Sequence, residues 1–244
     1  MGRGLLGTAV EQLPLPVQLR PEASFGAFVP GSNREAVAAL EAWARGLGEP
    51  FAFVCGLPGT GKTHLLQAAC QAAVSTGRHA QYLPLRHHGL APEVLAGLEQ
   101  VGNIALDDVQ AVANDAAWEG ALFTLFNRLR ESGGRLLVSA DQPAASLPLA
   151  LPDLRSRLAW GPCYRLQPLG EQDCEDLLCT TAARRGLRLG PDLVEYLMRR
   201  LDRDPASLLA FLDDLDRESL AARRAPSIPL ARRVLEAGGR TSAP

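Results

Sequence analysis

The fold class this sequence predicts is α/β: a parallel sheet flanked by helices, with a small all-helical domain at the C-terminal end. Three observations carry that expectation. Short apolar runs of strand type alternate with stretches of helical period between residues 32 and 166, the pattern of a parallel sheet covered on both faces. A glycine-rich turn, Gly56-Leu57-Pro58-Gly59-Thr60-Gly61-Lys62-Thr63, joins one such run to one such helix. Beyond Glu171 come four helical stretches with no convincing strand.

The elements are expected in this order. Residues 1–24 are rich in Gly, Pro and small residues without helical period, and the prolines of Gln12-Leu13-Pro14-Leu15-Pro16-Val17 hold that segment extended. Ser32–Leu47 reads as a helix through Val37, Leu40, Trp43, Ala44 and Leu47, with Ser32 or Asn33 as its cap. Phe51–Cys55 reads as a buried strand. Thr63–Ser75 is a helix that stops near Gly77. Ala80–Leu83 is a strand, Pro92–Gln100 a helix, and Ile104–Leu106 a strand that runs into Asp107-Asp108. Asp115–Arg130 carries the helical stripe Trp118, Leu122, Leu125, Phe126 and Leu129, which reads as core. Arg135–Ala140 is a strand, Pro143–Pro152 a loop, Asp153–Ala159 a short helix and Tyr164–Leu166 the last strand. Glu171–Arg185, Pro191–Leu201, Ala206–Arg223 and Pro229–Ala237 are the closing helices. The chain thus divides into a tail over 1–24, an α/β domain over 25–168 and a helical domain over 169–244. The last is small for independent stability and is expected to pack on the second.

Composition narrows the function classes. The net charge of −2 removes the whole-molecule cationic field of a bulk nucleic-acid binder. At 47% hydrophobic and 21% charged the chain is not wholesale disordered. The five cysteines show no CxxC pair and read as reduced thiols. No apolar stretch approaches the ~20 residues of a membrane span, and the N-terminus lacks the pattern of a signal peptide. A cytoplasmic protein without membrane contact is the expectation. Lys62 is the only lysine; every other Lys-or-Arg position holds arginine.

That lysine stands in the turn Gly56–Thr63, which fits GxxxxGK[ST] between a strand and a helix. Gly56, Pro58, Gly59, Thr60 and Gly61 shape a loop whose backbone N–H groups can surround a polyphosphate, and the helix N-terminus adds partial positive charge. Lys62 is a compact charge able to reach the outer phosphates, and the Thr63 hydroxyl can ligate Mg2+. Asp107 and Asp108 end a strand some forty residues later. At the carboxyl edge of a parallel sheet one carboxylate can hold the Mg2+ shell and the other can orient or polarise a water; Asp107 is assigned to the metal and Asp108 to the water. With one lysine in the chain there is no Asn-Lys-x-Asp guanine-reading segment, so ATP or ADP is the expected nucleotide. His87-His88 reads as a solvated loop pair without a metal partner.

Taken together, the strand–helix alternation, both phosphate motifs and the helical tail resemble the AAA+ ATPases. Phe25-Gly26-Ala27-Phe28-Val29-Pro30-Gly31-Ser32-Asn33, the pair Asp107-Asp108, and Leu154-Arg155-Ser156-Arg157-Leu158-Ala159-Trp160-Gly161 narrow the resemblance to the DnaA/Hda family. No helix-turn-helix duplex-binding segment is expected after the helical lid within this sequence. The stretch from Tyr82 to Asp107 is shorter than in initiators. The likeness is therefore to the Hda branch, whose members inactivate the replication initiator DnaA. It covers Gln12 to about Leu235.

The resemblance implies further roles. Gln12-Leu13-Pro14-Leu15-Pro16-Val17 is similar to a peptide that binds the DNA polymerase III sliding clamp (its beta subunit). Gln12 would bond at a pocket rim while Leu13, Leu15 and Pro16 fill an apolar cleft. DNA would then be met indirectly, through the clamp. Arg157 matches an arginine finger that would complete the ATP site of a neighbouring DnaA; a surface arginine paired with Asp153 is the plainer alternative. Asp141 matches a first sensor of nucleotide state, against an ordinary Asx turn before Gln142-Pro143. Ala206 stands where the family's second-sensor arginine is expected, and Arg203 lies three residues earlier, before Pro205. A methyl group cannot touch a γ-phosphate, which sets the chain's own ATP turnover in question and favours action on a partner's ATP. The competing readings are a self-contained helicase-loader-like ATPase and a pure clamp-binding adaptor. Self-association is left open.

Overall fold

Five apolar runs become the strands of one parallel sheet: β1 Phe51–Cys55, β2 Ala80–Pro84, β3 Asn103–Asp107, β4 Arg135–Ala140 and β5 Cys163–Arg165. The computed structural model describes residues 19–20, 22–202 and 204–237. The strand order is β2-β3-β4-β1-β5, so β1 lies between β4 and the edge strand β5 and its C-terminal end opens between them. β1 and β4 pair from Phe51 opposite Leu136 to Cys55 opposite Ala140, and every strand pair is parallel.

Strand side chains alternate between two cores. Phe53, Cys55, Ile104, Leu106, Leu136 and Val138 pack against α3 (Ala116–Ser132) and α4 (Pro152–Leu158). Ala52, Val54, Ala105 and Leu137 pack against α1 (Arg34–Ala44) and α2 (Lys62–Ser75). Burial on both faces is why these strands read as continuous apolar runs. Trp118, Leu122, Leu125, Phe126 and Leu129 all lie in the first core, as the stripe on α3 predicts.

Helices α5 (Glu171–Arg184), α6 (Pro191–Met198), α7 (Pro205–Ala222) and α8 (Ile228–Ala237) enclose a separate core around Leu178, Leu197, Phe211, Leu212 and Leu215. Val29, from the segment before α1, packs against it. The Arg184 guanidinium also donates to the Gly26 carbonyl. The chain is therefore a parallel α/β sheet domain with a small helical lid joined to it.

Several expectations need correction. Pro92–Gln100 is not one helix but two 3-10 turns, Pro92–Leu95 and Leu98–Gln100. Ala96 is extended and Gly97 sits at φ +82, a left-handed conformation that interrupts the ladder. Asn33 takes the N-cap position of α1, after a 3-10 turn, Gly31–Asn33, but its side chain forms no cap bond. Asn33 instead donates from Nδ2 to Gln167 O (3.0 Å) and accepts from Gln167 N at Oδ1 (2.7 Å), tying the segment before α1 to the link between β5 and α5. The third lid helix begins at Pro205, whose fixed φ suits the first helical position, behind the Asp204 cap. The loop 143–152 holds a short 3-10 turn, Ala144–Ser146.

Gly161, just before β5, is fixed by space rather than by φ: a Cβ there would collide with the backbone of Phe51 at the start of β1. Gly161→Ala is expected to lower stability by about 3 kcal/mol or more, because backbone cannot give way as a side-chain tip can. Urea unfolding of the two proteins measures it.

Among the described residues no helix is long and apolar enough to cross a membrane. None of the five cysteines is in a disulfide.

Candidate nucleotide site

β1 runs directly into the glycine-rich turn, and the sheet order places that turn between the ends of β4 and β5. Gly56 N donates to Ala140 O (3.3 Å), and Leu166 N to Cys55 O (2.7 Å). Gly61 takes φ +92, and a Cβ there would meet Phe28 Cε2 at 2.5 Å, so glycine is required on both counts. The Thr60 hydroxyl closes the turn on Leu57 O (2.8 Å). Pro58 and Gly59 form its exposed crest, and nothing lies within 4 Å of a Cβ built on Gly59.

Lys62, the only lysine, is 7% exposed. Its Nζ donates to Gly56 O (2.7 Å) and Leu57 O (3.1 Å), carbonyls of the loop itself. Burial pushes its pKa below the ordinary lysine value, while the nearby charges of Asp108, Asp107 and Asp141 push it back up. The first α2 hydrogen bond runs from Leu65 N to Gly61 O (3.0 Å), which leaves the N–H groups of Lys62, Thr63 and His64 outside the helix ladder. A buried ammonium, an open crest and free N–H groups at one helix end suit a polyphosphate.

Asp107 ends β3 and is 2% exposed. Its Oδ2 accepts from Thr63 Oγ1 (2.6 Å) and from the Tyr82 hydroxyl (2.7 Å), and its Oδ1 from the Ser139 hydroxyl. Three hydroxyl donors hold this carboxylate in place. The Thr63 hydroxyl and the Asp107 carboxylate are hard oxygens side by side, the donor chemistry that suits Mg2+ already carrying phosphate and water ligands. Burial and the neighbouring Asp107 carboxylate raise the Tyr82 pKa, so its hydroxyl stays protonated and donates.

Asp108 lies beyond the strand in the left-handed region (φ 60, ψ 50), a conformation that costs a non-glycine residue about 1 kcal/mol or more. Asp108 N donates to Ser139 Oγ (2.9 Å). Its carboxylate takes Arg86 Nε (3.2 Å) at Oδ2 and Gln110 Nε2 (2.8 Å) at Oδ1. Asp141 is exposed, one residue past β4, where its charge still acts on Lys62.

Arg157 stands apart from this group. It borders a small apolar cavity with Phe51, Phe126, Leu136 and Gly161, at the N-terminal ends of β1 and β4. Its guanidinium lies 5.5 Å from the ring centre of Trp160, which is 56% exposed, and Arg130 lies 4.8 Å from the same ring. Arg157 thus rests on an aromatic face. Arg155 turns the other way and donates to Leu149 O.

The structure brings Gly56–Thr63, Asp107, Asp108 and Asp141 to one end of the sheet and leaves Arg157 at the other. Gln12, Leu13, Leu15 and Pro16 lie outside the described residues, as does Arg203. Ala206 is exposed in the first turn of α7. His87 and His88 are both exposed. Sequence reasoning missed Tyr82 and Ser139. The available signal was a hydroxyl inside an otherwise apolar strand run, one in Ala80–Leu83 and one in Leu136–Ala140.

Residues 19–164 match the family model for the bacterial DnaA ATPase domain, and residues 171–235 match that for the Hda lid domain. Among solved structures the chain is similar to domain III of the replication initiation protein DnaA from Thermotoga maritima. That pair has a TM-score of 0.78 at 22% identity, over 91% of this chain and 98% of that one. A replication initiator DnaA bound to AMPPCP and single-stranded DNA matches with a TM-score of 0.72 at 22% identity, over 91% and 69%. The Thermotoga maritima RuvB Holliday junction branch migration motor matches with a TM-score of 0.67 at 17% identity, over 90% and 72%.

Proposed function

Since the chain belongs to the bacterial DnaA ATPase-domain family and carries a lid that matches the Hda lid domain, we propose that it regulates replication by promoting hydrolysis of ATP bound to DnaA. It would itself hold an adenine nucleotide with Mg2+, dock on the DNA-loaded sliding clamp through Gln12–Val17, and present Arg157 to its partner. The product is ADP-bound DnaA, and re-initiation is prevented.

The observation that carries this reading is the distance between Arg157 and the chain's own phosphate loop. Arg157 borders Phe51, the first residue of β1, and the loop begins after Cys55, the last. Five strand residues at about 3.3 Å each separate the two ends by roughly 13–16 Å. An arginine side chain held on Trp160 does not cross that gap. A triphosphate that Arg157 reaches therefore belongs to another molecule, docked at the N-terminal edge of β1 and β4. There a guanidinium stabilises the charge that develops as the terminal phosphate departs.

Nucleotide binding by the chain itself is supported by the buried Lys62, the loop it closes on, and the DnaA neighbour bound to AMPPCP. Lys62 would face the outer phosphates, Thr63 and Asp107 would hold the metal, and Asp141 would sense the nucleotide. Ala206 offers the phosphates no charge, which disfavours a self-contained motor.

The test is hydrolysis of DnaA-bound ATP with and without DNA-loaded clamp. Wild type is expected to stimulate only when the clamp is present. Gln12→Ala is expected to need at least tenfold more clamp for the same effect. Equal stimulation without any clamp contradicts the docking role; high turnover by the chain alone favours the loader-like ATPase.

A further inference from the structure

Glu119 is a carboxylate in the interior. It lies on α3, is 1% exposed and faces the approach to α4. A buried carboxylate is costly unless every lone pair is used. Here three backbone N–H groups satisfy it. Oε1 accepts from Asn114 N (2.7 Å) and Ala150 N (3.0 Å), and Oε2 accepts from Leu151 N (2.6 Å).

The three donors come from two functional loops. Ala150 and Leu151 lead into the arginine-bearing helix; Leu151 is the residue before α4, and Pro152 opens it. Asn114, at φ +66, closes the turn Val109–Val112 that follows Asp108. Helix α4 has seven residues, too few to hold an orientation by themselves. Its direction is set by Leu154 and Leu158, which plug into the core, and by the clamp at its start.

We propose that Glu119 is the positioning residue of Arg157: it fixes the start of α4 against α3 and so sets where the guanidinium stands one and a half turns later. Only a carboxylate does this. A glutamine keeps one acceptor oxygen and turns an N–H2 toward a backbone N–H, donor against donor. The same carboxylate joins the loop after Asp108 to the arginine helix, so the phosphate end of the sheet and the partner-facing end share one anchor. The proposal deepens the finger reading above and rests on it.

Glu119→Gln in the full chain is the test, with stimulation of DnaA-bound ATP hydrolysis measured across partner concentration. Displacing a reacting group by about 1 Å costs on the order of 100-fold in rate. The maximal stimulated rate is expected to fall 10–100-fold, with half-saturation by the partner and affinity for ADP unchanged. In an Arg157→Ala background the same change is expected to add nothing. A maximal rate equal to wild type overturns the proposal, and so does an undiminished further loss in the Arg157→Ala background. Amide exchange on the wild-type chain covers a variant that fails to fold. The Asn114, Ala150 and Leu151 amides are expected to be as protected as the middle of α3, and rapid exchange there overturns the anchor. If Arg157→Ala stimulates like wild type, the finger reading falls and the positioning role with it. If Arg157→Ala is inactive and Glu119→Gln is not, only the positioning role falls.

Discussion

Arg157→Ala is expected to leave the chain folded, able to bind ADP and able to bind the clamp, and to lower stimulated hydrolysis of DnaA-bound ATP by roughly 10³-fold or more. Stability should change little. Arg157 gives up a partly exposed contact with Trp160 worth about 1 kcal/mol or less, and Arg130 stays against the same ring at 4.8 Å. The rate should change greatly, because a delocalised guanidinium supplies donors at the point where phosphoryl charge develops. Arg157→Lys keeps the charge but not the fork and should recover a minor part of the rate. Single-turnover phosphate release at saturating variant separates this loss from one of binding.

Lys62→Ala carries the second large effect, at the opposite end of β1. In this structure Nζ is held by two loop carbonyls, Gly56 O and Leu57 O, with little solvent around it. Burial lowers its pKa, and the Asp108, Asp107 and Asp141 charges oppose that shift. A phosphate can take the place of the loop carbonyls and supply negative charge that they lack. A hydrogen bond to a charged group contributes about 1.5–3 kcal/mol, so removing the ammonium should weaken ADP binding on the order of 100-fold. Titration calorimetry with ADP and Mg2+ reads that loss. Clamp binding should be untouched, since Gln12–Val17 is a separate segment. An unchanged ADP affinity would exclude Lys62 from the nucleotide site.

What the sequence discloses about this molecule depends on how local the cause is. The strands are legible because burial on both faces demands unbroken apolar runs such as Phe51–Cys55 and Leu136–Ala140. The glycine-rich turn is legible because its dihedrals, its lysine and its flanking elements all lie within a dozen residues. Pro92–Gln100 misleads because its apolar spacing is helical while Gly97 adopts a left-handed conformation. Asn33 misleads because a residue type suited to capping is recruited by Gln167, 134 positions away. Tyr82 and Ser139 reach Asp107 only after β2 and β4 flank β3. Glu119 is invisible for the same reason: its donors lie 5, 31 and 32 positions off. The separation of Arg157 from Lys62 follows from the sheet, since α4 returns to the end of β1 where the strand begins.

That separation underlies the central claim, that the ATP consumed belongs to the partner. The most direct measurement loads γ-labelled ATP on DnaA alone, supplies this chain with unlabelled ADP and DNA-loaded clamp, and follows labelled phosphate in a single turnover. The expected result is release from DnaA whose rate rises with the concentration of this chain and collapses with Arg157→Ala. Release that ignores the concentration of this chain, or that appears only when the label starts on this chain's own nucleotide, would contradict the account.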